Sequence, residues 1–134
     1  MPLSRLILAV VVIFVLSSVL GNIVHAILLH DDYAALPLVF LSAKQADFTL
    51  ILLSELAFAV GSVWIYTHGV EDQPWLAQGV RFGAAMWMVT SLPMYLLAHA
   101  TQPIPESLMW KQLGYEFVSK VILGIVTAAL VRRP

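Results

Sequence analysis

The residues from Leu108 to Val131 form an apolar run that is long enough to cross a bilayer but also contains polar and charged groups. These groups are Gln112, Tyr115, Glu116, Ser119 and Lys120. At about 100° per residue they share roughly 140° of one helical face, and valine and isoleucine side chains cover the opposite face. A charged group in a spanning helix costs about 3 kcal/mol, so this face is expected to turn towards protein or a water-filled cavity. The sequence therefore predicts an integral membrane protein with a buried polar site.

The composition agrees with residence in a membrane. The 134 residues are 60% hydrophobic and 11% charged, whereas a soluble domain carries about 25% charged residues. The net charge of -1, without a long run of one sign, gives no reason to expect a nucleic-acid partner. The absence of cysteine excludes disulfides, thiolate metal sites and cysteine nucleophiles. The length suits one domain spanning residues 1–134.

The hydropathy pattern predicts an all-α fold, a polytopic up-down-up-down bundle of four transmembrane helices. The predicted helices cover residues 4–29, 43–67, 75–99 and 108–131. Ser42 and Gln45 have the spacing of a capping box, which would start the second helix near Ala43 with Asp47 in its first turn. In this second helix Glu55 would lie near the middle.

Basic residues near the helix ends predict the orientation. One side of the membrane would hold Arg5, Arg81, Arg132 and Arg133, and the other side Lys44 and Lys111. Because cytoplasmic loops carry the excess of lysine and arginine, both termini are expected to be cytoplasmic.

Small residues mark two helix faces that allow close contact. Ser17 and Gly21 give small-xxx-small spacing in the first helix, and Gly79 and Gly83 form a GxxxG pair in the third. Such faces favour tight packing against another helix or another subunit.

The rise of about 1.5 Å per residue places several polar groups in one layer, which extends from Glu55 and Lys120 near the middle of the bundle into its outer half. They are Asn22, His25, Glu55, Tyr95, Gln112, Glu116 and Lys120. Since Leu123 and Val126 continue the same face inward, the predicted pocket opens outward. It could hold a proton or a small polar or cationic solute. Alternatively, Glu116 and Lys120, four residues apart, only neutralise each other. Glu55, which has no partner on its own helix, favours the functional interpretation.

The histidines raise a metal or haem alternative. His25 and His99 lie near the outer ends of two predicted helices and could ligate a haem or, with Glu55 and Glu116, a metal. No HxxxH or ExxH pairing supports this. No metal, cofactor or catalytic residue is therefore assigned.

Three functional hypotheses fit this pattern. The first is an oligomeric protein that binds or transports a proton or small solute. The second is an accessory or assembly subunit of a larger membrane complex, with the GxxxG face docking the partner. The third, ranked last because no Ser-His-Asp set, phosphate loop or HExxH motif is present, is an enzyme acting on a lipid or quinone with Glu55 or Glu116 as general base.

Two loop segments suggest a relationship to other proteins. Residues 66–83 (YTHGVEDQPWLAQGVRFG) and residues 32–37 (DYAALP) resemble those of a small, uncharacterised family of bacterial four-helix integral membrane proteins. The resemblance implies location in the bacterial inner (plasma) membrane. It implies no activity, so no site residue is transferred from it.

Overall fold

A computed structural model of the chain, which describes residues 1–132, is helical in all of its regular elements. Arg133, one of the basic residues on which the predicted orientation depends, lies outside these residues. The elements are α1 (Leu3–Asn22), a π-helical turn (Ile23–Leu28), α2 (His30–Ala34), α3 (Phe48–Gly69), α4 (Trp75–Thr101) and α5 (Glu106–Val131). Four segments are long and apolar enough to cross a membrane: Leu3–Leu28, α3, α4 and α5. The chain is therefore an all-α membrane protein with four candidate spans.

The spans alternate in direction. The terminal end of the bundle holds Leu3, Gly69, Trp75 and Val131, and the loop end holds Leu28, Phe48, Thr101 and Glu106. At the terminal end, Arg5 Nε donates to the carbonyl oxygen of Leu130 at 3.0 Å. At the loop end, Lys111 Nζ lies 3.2 Å from Asp32 Oδ1. The first and last spans are thus antiparallel neighbours.

The helices do not pack equally. The closest pair is α4 with α5, while α1 lies between α3 and α5 and contacts both. An edge-to-face contact of Tyr66 with Phe82, with centroids 5.0 Å apart, joins α3 to α4 near the terminal end. The bundle is therefore a tight α4–α5 hairpin with α1 and then α3 added beside it.

Glycines account for the tightness of the hairpin. A Cβ atom added to Gly83 would collide with the Lys120 carbonyl oxygen and lie 2.6 Å from Val121 Cα. A Cβ atom on Gly79 would lie 2.8 Å from Ile125 Cα, and one on Gly124 would collide with the Gly79 carbonyl oxygen. Only residues without a side chain allow two helix backbones to approach this closely.

The second span begins later than the sequence suggests. Ser42 Oγ does donate to Gln45 Oε1 at 3.2 Å, but this bond closes an isolated turn. The helix begins at Phe48, and Asp47 is its N-cap, with Oδ1 accepting from the Leu50 amide at 3.2 Å. The midpoint of α3 is therefore later in the chain than the sequence predicts. Glu55 lies about one helical turn from this midpoint, on the side of the loop end.

The end of the first span is a π-helical turn that the hydropathy pattern does not indicate. Its backbone is widened so that the Leu29 amide donates to the Val24 carbonyl oxygen, five residues earlier, at 2.9 Å. This turn carries His25. Such turns are frequent at functional sites.

Candidate functional site

The centre of the polar site is a pair formed by His25 and Glu116. The Nε2 atom of His25 lies 2.9 Å from Oε1 of Glu116. Glu116 is 8% exposed, although it carries a carboxylate in the span formed by α5. A carboxylate so placed needs hydrogen-bond donors, and the histidine ring provides the first of them.

Lys120 and Ser91 supply further donors to the second carboxylate oxygen. Lys120 Nζ donates to Glu116 Oε2 at 3.0 Å, and Ser91 Oγ donates to the same atom at 3.5 Å. The lysine ammonium also lies 4.8 Å from the centroid of the Phe58 ring. Because Glu116 and Lys120 are paired one helical turn apart, their charges cancel within α5.

A hydrogen-bond chain extends from His25 towards the loop end. The hydroxyl of Tyr33 lies 2.6 Å from His25 Nδ1, and Gln112 Nε2 donates to that hydroxyl at 3.2 Å. Burial raises the pKa of Tyr33 above its ordinary value of 10.0, so the hydroxyl keeps its proton at neutral pH. The Glu116 carboxylate can only accept, so His25 Nε2 carries a proton directed at it, and in the neutral ring Nδ1 then accepts from the Tyr33 hydroxyl.

Tyr33 is the member of this network that sequence reasoning missed. It belongs to α2, outside the spans, and its ring stacks on His25 with an interplanar angle of 12° and contacts Phe40 at a centroid distance of 4.5 Å. Its hydrophobic contacts explain why the link folds back over the bundle. The available signal was the apolar character of residues 36–41 in a link between two spans, which suggests a segment that packs rather than one in water.

Glu55 faces the network across a small cavity. The cavity has a volume of about 40 Å³ and is lined by the polar residues Ser17, His25, Glu55, Glu116, Ser119 and Lys120, together with Leu20, Gly21 and Leu123. A Cβ atom on Gly21 would lie 3.3 Å from Glu55 Oε1, so the absence of a side chain there makes room for the carboxylate. Within residues 1–132, Glu55 has no hydrogen-bond or ion-pair partner. The space suits one or a few water molecules.

The structure thus brings together most of the residues predicted for the site. His25, Glu116, Lys120 and Gln112 belong to one hydrogen-bonded network, and the Tyr95 hydroxyl lies 3.4 Å from His25 Nε2. Asn22 does not join them: it is exposed and makes no side-chain hydrogen bond in the described part of the chain. The reason is the π-helical turn, whose smaller angular step per residue separates the directions of Asn22 and His25.

The glycine face of α4 is covered by the same chain. Gly79 and Gly83 pack on the backbone of α5 around Gly124. The partner-docking role that the accessory-subunit hypothesis gave to this face is therefore not available to an external protein.

The described residues do not form a set of metal ligands. Among the described residues, no three histidine, aspartate or glutamate side chains lie close enough to hold a metal ion. The Nδ1 atom of His99 is buried and has no hydrogen-bond partner within residues 1–132. His25 is engaged through both ring nitrogens.

Comparison of the chain with protein-family models, with curated proteins and with solved structures gives no match. The class is therefore defined by the architecture and the site alone. This is a small four-span integral membrane protein with a buried His25–Glu116 pair, and no family is identified for it.

Proposed function

We propose that this protein binds a proton at the polar cavity near the loop end of the bundle. Glu55 is the acceptor, and the Tyr33–His25–Glu116 chain is the route to it. The observation that carries the proposal is that the carboxylate of Glu55 has no partner within residues 1–132, although it borders a small cavity inside the spans.

The charges around the cavity support Glu55 as the group that accepts the proton. Glu116 and Lys120 cancel as a pair, and His25 in its neutral form adds no charge. An ionised Glu55 would leave one uncompensated negative charge at this level of the membrane, where an unpaired charge is costly. A proton removes that cost.

The size of the cavity selects among possible ligands. A volume of about 40 Å³ accommodates water or an ion of similar size, and a larger polar solute does not fit. The sequence hypothesis of a small polar or cationic solute is therefore narrowed to a proton, with a water-sized cation as the competing ligand.

The packing supports entry from the loop end. Below the cavity, towards the terminal end, the core consists of tightly buried apolar side chains, among them Ile13, Ala59, Val63 and Leu123. Above it, the hydrogen-bond chain reaches Tyr33 in α2, whose neighbour in the sequence, Asp32, forms an exposed ion pair with Lys111. If the termini are cytoplasmic, as the distribution of basic residues predicts, the site fills from outside.

Infrared difference spectroscopy of the full chain in liposomes tests the proposal. Spectra recorded at acidic and at neutral pH should differ by the carbonyl band of a protonated carboxylic acid. We expect this band to disappear in Glu55→Gln and to persist in Glu106→Gln, a matched change at an exposed glutamate. An unchanged band in Glu55→Gln would exclude Glu55 as the acceptor, and a band that is suppressed by sodium or potassium at constant pH would identify a cation site instead.

A further inference from the structure

A second cavity, larger than the one at the polar site, lies between α3 and α4 at the terminal end. Its volume is about 270 Å³, slightly below the roughly 300 Å³ at which small-molecule pockets begin. Ile65, Tyr66 and Phe82 provide apolar walls, and Glu71 and Arg81 provide opposite charges. We propose that this pocket binds one phospholipid whose headgroup contains both a phosphate and a primary ammonium group.

The opposite charges of Glu71 and Arg81 favour a zwitterionic ligand. Glu71 and Arg81 line the same pocket, but they form no ion pair within residues 1–132. Arg81 uses one of its N–H groups to donate to Gln73 Oε1, and Gln73 Nε2 donates to Glu71 Oε2 at 2.9 Å. The remaining guanidinium donors and the Oε1 atom of Glu71 are free to bind a ligand. A zwitterionic headgroup would pair its phosphate with Arg81 and its ammonium with Glu71.

The wall that carries Glu71 is fixed by a buried side chain. Gln78 is 8% exposed, and its amide makes hydrogen bonds that hold the link between α3 and α4 in place. Its Oε1 accepts from the Glu71 amide at 2.9 Å, and its Nε2 donates to the carbonyl oxygens of Glu71 at 2.7 Å and Gln73 at 2.9 Å. The position of the Glu71 backbone relative to α4 is therefore set before a ligand binds, and the bond from Gln73 Nε2 orients its carboxylate.

The level of the pocket in the bundle favours a lipid over a soluble ligand. Arg81 lies in the second turn of α4, about 9 Å from its start, which is the depth of the interface between headgroups and acyl chains. Tyr66 borders the pocket, and its buried hydroxyl has no hydrogen-bond partner within residues 1–132. The apolar walls can receive the first methylene groups of an acyl chain, and an ester carbonyl is an acceptor of the kind that the Tyr66 hydroxyl lacks.

Native mass spectrometry of the full chain tests this site. The protein is incubated in detergent with equal amounts of dioleoyl phosphatidylethanolamine, phosphatidylglycerol and phosphatidylcholine, and the retained lipids are counted. We expect one retained phosphatidylethanolamine in preference to the other two. Arg81→Gln should lower retention of all three lipids about tenfold, because a charge-assisted hydrogen bond to phosphate is lost. Glu71→Gln should remove the preference for the primary amine and leave phosphatidylglycerol retention unchanged or higher.

Matched variants at exposed positions outside the pocket complete the test. Lys44→Gln and Asp31→Asn change charge at the loop end and should retain phosphatidylethanolamine as the unmodified protein does. Helix content measured by circular dichroism confirms that each variant is folded. Equal retention of the three lipids by the unmodified protein, or an unchanged preference in folded Glu71→Gln, would overturn the proposal. The result does not depend on proton binding at Glu55.

Discussion

His25 Nε2 and Glu116 Oε1 lie 2.9 Å apart, although 91 positions separate the two residues in the chain. The contact joins the π-helical turn of the first span to the last span. It also gives a carboxylate inside the bundle a donor from a second helix, in addition to the lysine on its own helix. The stability of the protein should therefore depend strongly on this carboxylate.

Replacing Glu116 should expose that dependence. Glu116→Gln leaves the Lys120 ammonium, whose side chain is 15% exposed, without its counter-charge. Removing one partner of a buried pair costs about 3 kcal/mol, and we expect a loss of this size in the free energy of unfolding. Unfolding in mixed micelles with increasing sodium dodecyl sulfate, followed by circular dichroism, measures it. Glu106→Gln, at the exposed start of the same helix, should change the value by about 0.5 kcal/mol or less.

A double variant separates the lost counter-charge from other effects. Glu116→Gln combined with Lys120→Met removes both charges, and we expect it to regain most of the stability lost in the single variant. A double variant as unstable as Glu116→Gln would show that the ion pair is not the source of the effect.

The α4–α5 interface gives a second prediction. In Gly83→Ala, the new methyl group meets the backbone of α5, which cannot move as a side chain can. We expect a loss of about 2 kcal/mol or more in the free energy of unfolding. Gly114→Ala, where a Cβ atom meets nothing within 4 Å, should be neutral or stabilise by up to about 1 kcal/mol. Equal effects of the two changes in the same unfolding assay would contradict the observed interface.

Gly21→Ala should act on the cavity rather than on the fold. Its Cβ atom would lie 3.3 Å from Glu55 Oε1, and the carboxylate at the end of a flexible side chain can shift by a few tenths of an ångström. We expect stability within about 1 kcal/mol of the unmodified protein, since alanine also favours the helix. The infrared carboxylic acid band should change in frequency. The comparison is Gly61→Ala in α3, where nothing lies within 4 Å.

The hydrogen-bond chain predicts a tautomer that can be measured. In the unmodified protein at neutral pH, the nitrogen chemical shifts of labelled His25 should show Nδ1 without a proton and Nε2 with one. Tyr33→Phe removes the donor to Nδ1, so we expect the Nδ1 resonance to move. Tyr115→Phe, which alters a half-buried tyrosine elsewhere on α5, should leave both resonances in place.

Tyr33 also predicts a loss of stability in alkali. Burial raises its pKa in the folded protein above 10.0, so the folded state holds the phenolic proton more tightly than the unfolded state. This contribution is fully present below pH 10 and is lost as the pH rises through the folded-state pKa. We expect Tyr33→Phe to reduce the slope of unfolding free energy against pH in this range. Equal slopes for the two proteins would contradict it.

The sequence located site residues where charged side chains occur within apolar, membrane-spanning runs. Glu116, Lys120 and Glu55 can be located because charged groups in apolar runs have few stable environments, and each of them lines the observed cavity. Gly79 and Gly83 could be recognised by their spacing as a close-packing face. The pattern did not indicate which helix covers that face, because GxxxG spacing is the same for a neighbour in the chain and for a separate subunit.

The remaining features depend on backbone geometry that hydropathy does not encode. The π-helical turn leaves Asn22 outside and brings His25 inside, and the apolar sequence around it is compatible with a regular helix as well. Tyr33 enters the site from α2, the polar start of the link between the first two spans; the apolar residues 36–41 indicate that the link packs, but not that Tyr33 reaches His25. The helix α3 begins late because Asp47, and not Ser42, is its N-cap. Since serine and aspartate are both good N-cap residues, the sequence does not distinguish between them.

The pairing of Glu116 with Lys120 on a single helix has a consequence for biogenesis. The two charges can cancel as soon as α5 has formed, before any other span is present, so this segment enters the lipid phase as a neutral dipole. Glu55 has no such internal counter-ion. Insertion of α3 from the translocon into the membrane should therefore be the step most sensitive to pH. It should also be the step most favoured by α1, which is inserted first and lies next to Glu55 in the folded protein.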